Sequence, residues 1–175
     1  HAGPITFSCV YGGEDYDARL EQHGWNNAGF DDSNWDSALV THGPGGVLRG
    51  QSASAWPIGT FETFKPVKKN KIAPDITVFD LGQNASMMPR VKITGPAGSF
   101  VTISPAELVK ADGTIDRNSC GKGQAYWKIT LDKSKSLTWF PKFFYHGCRY
   151  LQVQCMPTAG GTAMPGVRSP CPESA

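Results

Sequence analysis

Three polar stretches of this chain hold side chains able to do chemistry. In Gly12-Gly13-Glu14-Asp15-Tyr16-Asp17-Ala18-Arg19, three carboxylates fall within four positions, beside two glycines. Crowded carboxylates repel one another unless a cation or an arginine sits among them, and Ca2+ takes roughly six to eight oxygen ligands. Glu14, Asp15 and Asp17 are therefore candidate metal ligands. The plainer alternative is a turn in which Asp17 pairs with Arg19. In Phe79-Asp80-Leu81-Gly82-Gln83-Asn84, followed by Pro89, an apolar strand runs into a polar turn. There Asn84 can supply an amide oxygen and Pro89 a backbone carbonyl to a hard cation. Asn84-Ala85-Ser86 also has the pattern of an N-glycosylation acceptor, but a glycan on Asn84 is incompatible with a ligand role. In Pro105-Ala106-Glu107-Leu108, a carboxylate follows a strand and can close a binding pocket or accept a backbone bond. Asp112-Gly113 beyond it is a turn former.

Aromatic residues form a fourth group: Trp25, then Phe30-Asp31-Asp32-Ser33-Asn34-Trp35. They are expected to pack a core, with Asp31 or Ser33 capping a short helical turn. The sharper alternative is a ring stacked over a sugar. Readings as an enzyme have less support. A pair of carboxylates could serve a glycosidase, but the candidates lie in turn-like stretches. His1 could open a copper site with His23, His42 or His146, yet none stands in a distinguishing motif. Neither a Gly-x-Ser-x-Gly nor a phosphate-loop pattern occurs.

The elements that must position these residues read as strands. The chain has 175 residues, with 20 glycines and 13 prolines, a share that favours frequent turns. Strand-like runs are Ile5–Val10, Ile76–Leu81, Val91–Thr94, Phe100–Ser104, Tyr126–Leu131, Phe143–Tyr145 and Tyr150–Cys155. Alternation in Val101 and Ile103 against Thr102 and Ser104, and in Leu151 and Val153 against Gln152 and Gln154, marks half-buried antiparallel sheet. Arg90–Thr94 and Ser99–Ser104 are expected to form a hairpin around Gly95-Pro96-Ala97-Gly98. The fold class that follows is all-β: an antiparallel β-sandwich of jelly-roll type over residues 1–157. Residues 158–175, rich in Gly, Pro, Thr and Ser, form a short irregular C-terminal extension.

A net charge of +2 and a charged fraction of 18% give no support to nucleic-acid binding. The cluster Lys65–Lys71 reads as a solvated loop. No apolar run approaches the roughly 20 residues of a membrane helix. Five cysteines (Cys9, Cys120, Cys148, Cys155 and Cys171) show no zinc spacing and fit a secreted, disulfide-bearing protein. Cys148 and Cys155 flank one strand and cannot bridge each other if it is straight. The start at His1 reads as a processed or trimmed form.

The ordered motifs GGEDYDARLE, GWNNAGFDDSNW, GPGGVLRGQ, FDLGQN, GPAGSFVTISPAEL, DGTI and FFYHGCRYLQV resemble the accessory β-sandwich region of α-L-rhamnosidases, over about Gly3 to Val153. Some members of that domain family are calcium-dependent rhamnose-binding modules. The resemblance implies that Asn84 and Pro89 are an amide ligand and a carbonyl ligand to Ca2+, and that Glu14, Asp15 and Asp17 lie in the matching acidic motif. It departs after FDLGQN, where Ala85-Ser86-Met87-Met88-Pro89 replaces a glycine and an aromatic. The large helical catalytic barrel of such enzymes would need several hundred more residues than follow Val153. The expectation is thus a secreted, non-catalytic, calcium-dependent lectin for glycans with vicinal hydroxyls, of the L-rhamnose or mannose type. Asn84, Gln83, Glu107 and Arg19 are the candidate sugar contacts, and assembly into a homo-oligomer would add multivalency. The rival expectation is a ligand-free structural accessory domain of a rhamnosidase-like hydrolase.

Overall fold

The computed structural model describes residues 3–52, 54, 57, 59–122 and 125–168. They form two compact units, one over Gly24–Phe64 and the other combining 3–23 with 65–168. The first unit is built of turns, with no strand or helix among its described residues. Asp31 Oδ1 accepts the Ser33 amide at 3.0 Å, so the expected cap closes an Asx turn rather than a helix. The Phe30 and Trp35 rings lie 5.6 Å apart. Trp25 remains 58% exposed, which corrects its assignment to a core.

The second unit is a β-sandwich. Its strands are β1 (Ile5–Cys9), β2 (Gly13–Asp17), β3 (Lys68–Lys71), β4 (Ile76–Met87), β5 (Val91–Thr94), β6 (Phe100–Ala106), β7 (Leu108–Val109), β8 (Ile115–Asp116), β9 (Ser119–Lys122), β10 (Tyr126–Thr130), β11 (Ser136–Trp139), β12 (His146–Met156) and β13 (Gly166–Arg168). A single 3-10 turn covers Ala18–Leu20. Seven strands make one sheet in the order β1-β2-β10-β6-β12-β4-β3; β11-β5-β13 make a second, and β7-β8 a small third. Pairing is antiparallel except between β10 and β2.

Alternation builds the core. Val101, Ile103, Trp127, Ile129, Leu151 and Val153 from the large sheet meet Val91, Ile93, Leu137, Trp139 and Val167 from the second sheet. Trp127 is wholly buried and packs its ring against Phe144 at 5.2 Å, while its indole N–H donates to the Phe144 carbonyl. Fully burying an aromatic or branched side chain contributes roughly 1.5–3 kcal/mol. A few such residues therefore outweigh any single surface pair.

The tertiary arrangement corrects several expectations. Residues 95–98 do not close a hairpin. β5 pairs with β11 and β13, while β6 pairs with β10 and β12, so this turn carries the chain from one sheet to the other. Both segments alternate correctly for a half-buried strand, and alternation does not name the partner. The acidic stretch is not a turn but strand β2, held between β1 and β10. Residues Phe143–Tyr145 precede strand β12 rather than forming one, and β11 joins the sheet without having been expected. The lysine cluster contributes edge strand β3 instead of a loop. Gly166–Arg168, within the C-terminal extension, pairs with β5. The described cysteines, Cys9, Cys120, Cys148 and Cys155, are free thiols, so the expected disulfides are not formed among them; Cys171 and His1 lie outside the described residues.

Candidate functional site

The polar turn after Phe79 is organised by an ion pair. Asp80 Oδ1 accepts Arg149 Nε at 2.8 Å and Asp80 Oδ2 accepts Arg149 Nη2 at 2.9 Å, a two-point contact between β4 and β12. The same Oδ1 accepts the Gly82 amide at 2.8 Å. The Arg149 hydrogen bonds hold the Asp80 carboxyl below the usual carboxylate range, with a smaller lowering from the Gly82 amide. The contact lies where the β12–β4 register slips between Cys148 and Tyr150. Gly82 adopts φ +85°, a conformation that glycine takes without strain. This bulge redirects the end of β4, as bulges do beside binding sites.

Within this bulged stretch of β4, Asn84 Nδ2 donates to Glu107 Oε1 at 3.1 Å. Both residues are exposed, as is neighbouring Gln83, whereas Pro89 is buried. The backbone at Glu107 is itself fixed. Ser119 Oγ accepts the Glu107 and Leu108 amides at 3.0 and 3.2 Å and donates to the Asp116 carbonyl at 2.6 Å. With its NH2 directed at Glu107, the Asn84 amide leaves its oxygen free to act as a ligand or acceptor. Of the residues singled out in the sequence, Asn84 and Glu107 come together; Arg149, which pairs with Asp80, and Ser119, which fixes the Glu107 backbone, were not anticipated. The Asp-x-Gly spacing of Asp80 and Gly82 was the one local signal of that support.

The acidic stretch is placed elsewhere. Glu14 is wholly buried; its Oε2 accepts the Lys142 and Phe143 amides at 3.0 and 2.9 Å, and its Oε1 accepts the Lys142 amide at 3.2 Å. Asp17 accepts Arg19 through Nε at 2.9 Å, Nη2 at 2.6 Å and the backbone amide at 3.0 Å. Those Arg19 hydrogen bonds lower the Asp17 pKa against a smaller opposing effect of burial. This is the pairing that the plainer reading of the motif expected. Asp15 Oδ1 is buried and lacks a hydrogen-bond partner. Tyr126, whose hydroxyl pKa is raised by burial and then by the Asp15 carboxylate, lies beside it.

The candidate ligands therefore divide into two groups. Strands β2 and β4 are separated by β10, β6 and β12. At about 4.8 Å per spacing, that is roughly 19 Å across the sheet, too far for one coordination shell. Asn84 and Glu107 meet at one place, whereas Glu14, Asp15 and Asp17 lie on β2 and Arg19 just beyond it. Among the described residues, no three His, Cys, Asp or Glu side chains gather in a way that could hold a metal.

A two-sheet sandwich carrying an exposed polar pair, Asn84 and Glu107, defines the second unit. Comparison with known proteins gives the particular family. Residues 70–167 match the model of the bacterial alpha-L-rhamnosidase concanavalin-like domain, and residues 1–59 match that of the alpha-L-rhamnosidase N-terminal domain. The chain belongs to the α-L-rhamnosidase family. It is 33% identical over 158 residues to an α-L-rhamnosidase of Streptomyces avermitilis, a match covering 89% of this chain and 15% of that protein. An α-L-rhamnosidase of Formosa agariphila is 30% identical, with 86% of this chain and 16% of the relative covered. Among solved structures, the α-L-rhamnosidase of Dictyoglumus thermophilum superposes with a TM-score of 0.79 at 32% identity, over 97% of this chain and 20% of that one. The Streptomyces avermitilis enzyme, solved in complex with L-rhamnose, gives 0.73 at 29% identity, over 98% of this chain and 17% of that one. The chain thus spans only a small part of the length of these relatives.

Proposed function

We propose that this chain is a non-catalytic sugar-binding module of an α-L-rhamnosidase, and that Ca2+ joins protein to sugar at Asn84. The observation that carries this reading is the exposed Asn84–Glu107 hydrogen bond, braced by Asp80–Arg149 on one side and Ser119 on the other. A braced polar pair on the surface is pre-organised for a ligand, because less freedom is lost on binding. The residues suit a hard cation that keeps several open positions: the free Asn84 amide oxygen and a Glu107 carboxylate oxygen can each serve as a ligand. Water and two vicinal sugar hydroxyls would complete the shell. Gln83, exposed beside Asn84 in the chain, is a further candidate contact. Glu14 and Asp17 have no part in this site, since their carboxylates are engaged within the fold.

Calorimetric titration with L-rhamnose, with and without Ca2+, tests the proposal. Binding that requires Ca2+ and disappears in a folded Asn84→Ala variant is the expected result. D-Mannose in the same titration tests whether the site reads only a vicinal hydroxyl pair. The rival reading, a ligand-free structural domain, gains support from the engagement of the acidic motif in β2. It gives no heat with either sugar and no change in melting temperature on chelation.

A further inference from the structure

The start of β12 turns its two faces to different surroundings. Phe144 and Cys148 are buried in the core, and the Phe144 and His146 rings lie 6.0 Å apart. Side chains alternate along an extended chain, so Tyr145 and Gly147 are on the opposite, outward face. Gly147 stands opposite Ser86 on β4, and the buried Cys148 stands opposite Ala85. Ser86 and Asn84 are exposed and flank half-buried Ala85, which puts both on the outward face with Gly147. A two-residue step along a strand is roughly 7 Å. Gly147 is therefore about one step from the level of Asn84 and one step from Tyr145. A Cβ added at Gly147 would meet no atom within 4 Å, so the space above this glycine is open. Tyr145 borders that opening and is 57% exposed. The carbonyl of the Phe144–Tyr145 peptide accepts the buried Trp127 indole N–H at 3.2 Å, which fixes the backbone that carries the ring.

We infer that Tyr145 is a stacking residue: its ring receives the C–H face of a pyranose that lies over Gly147, with the sugar's hydroxyls turned to Asn84 and Glu107. The inference rests on the proposed sugar site and adds to it an apolar contact on the neighbouring strand. An aromatic face is electron-rich and apolar, and the C–H groups of a pyranose offer it a complementary surface. A lone exposed aromatic is ordinary on a protein surface. Tyr145 differs in its fixed peptide and in the open glycine between it and the Asn84–Glu107 pair.

Calorimetric titration of the full chain with L-rhamnose in the presence of Ca2+ tests this, with melting temperature as the check on folding. Tyr145→Ala is expected to bind about tenfold more weakly, through the loss of one stacked ring. Tyr145→Phe keeps the ring and should bind as the native protein does. Gly147 is not in the left-handed conformation, so Gly147→Val places a strand-compatible side chain in the open space. That variant should melt as the native protein does and lose the sugar. Native affinity in a folded Tyr145→Ala protein would overturn the inference. Equal losses in Tyr145→Ala and Tyr145→Phe would also overturn it, since the hydroxyl and not the ring would then be the contact. Asn84→Ala separates this inference from the reading beneath it. If Asn84→Ala abolishes binding and Tyr145→Ala leaves it intact, the stacking role falls and the Asn84 site stands. If Tyr145→Ala and Gly147→Val weaken binding and Asn84→Ala does not, the Asn84 ligand falls and the stacking surface stands. No heat from the native protein overturns both.

Discussion

Truncating Glu14 should unfold the sandwich more readily without touching the proposed sugar site. Its carboxylate is wholly buried and accepts the backbone amides of Lys142 and Phe143. It thereby ties β2 to the segment leading into β12, across more than 120 residues of chain. Hydrogen bonds to a charged group contribute about 1.5–3 kcal/mol each. Glu14→Ala removes both and leaves a gap, but the freed amides can recruit water, so a net loss of about 3 kcal/mol is expected. With a urea dependence of about 2 kcal/mol per molar, the unfolding midpoint should fall by roughly 1.5 M. Glu14→Gln can present its amide oxygen to both donors and should cost less than half as much. Equilibrium urea unfolding followed by tryptophan fluorescence, with the metal chelated, reads both variants. A shift below about 0.3 M for Glu14→Ala would refute the structural role. If Glu14→Ala left the chelated protein unchanged and instead weakened Ca2+ binding, Glu14 would be returned to the ligand set.

Three further outcomes are expected. Asp80 has a folded pKa held below its unfolded value, chiefly by Arg149. The stability it contributes is therefore present above the unfolded pKa of about 3.9 and lost as pH falls through the folded value. Asp80→Asn should lower the melting temperature at pH 6, and the gap from the native protein should shrink towards pH 3. Gly13→Ala should disrupt the β2–β10 pairing, since an added Cβ would stand 1.8 Å from the Tyr126 carbonyl oxygen at φ +120°; loss of cooperative thermal unfolding is the readout. Burial pushes the Cys148 thiol up to about 12, so Cys148 should resist a thiol reagent at pH 8 until the protein unfolds, as peptide mapping by mass spectrometry would show.

Much of this protein was legible in its sequence, for a local reason. Period-two alternation in Phe100–Ser104 and Tyr150–Cys155 reports which face of a strand is buried, so the sandwich and the core positions Val78, Leu81, Val91, Ile93, Val101 and Ile103 could be read directly. The polar, exposed character of Asn84 and Glu107 was also within reach, because polar residues that follow apolar runs tend to fall where strands meet loops. Partner choice was beyond local reading. Nothing within Val91–Thr94 says that it joins β11 and β13 rather than β6, because the same alternation satisfies either neighbour. Glu14 shows this limit most clearly. Three carboxylates in four residues look like a cation site until the fold sets β2 beside β10, turning Glu14 inward to two backbone amides and leaving Asp17 to Arg19. Sequence determined which side chains alternate and which are polar. The long-range strand order determined which polar groups meet each other and which remain open to a ligand, because the donors that satisfy a buried carboxylate come from residues far away in the chain.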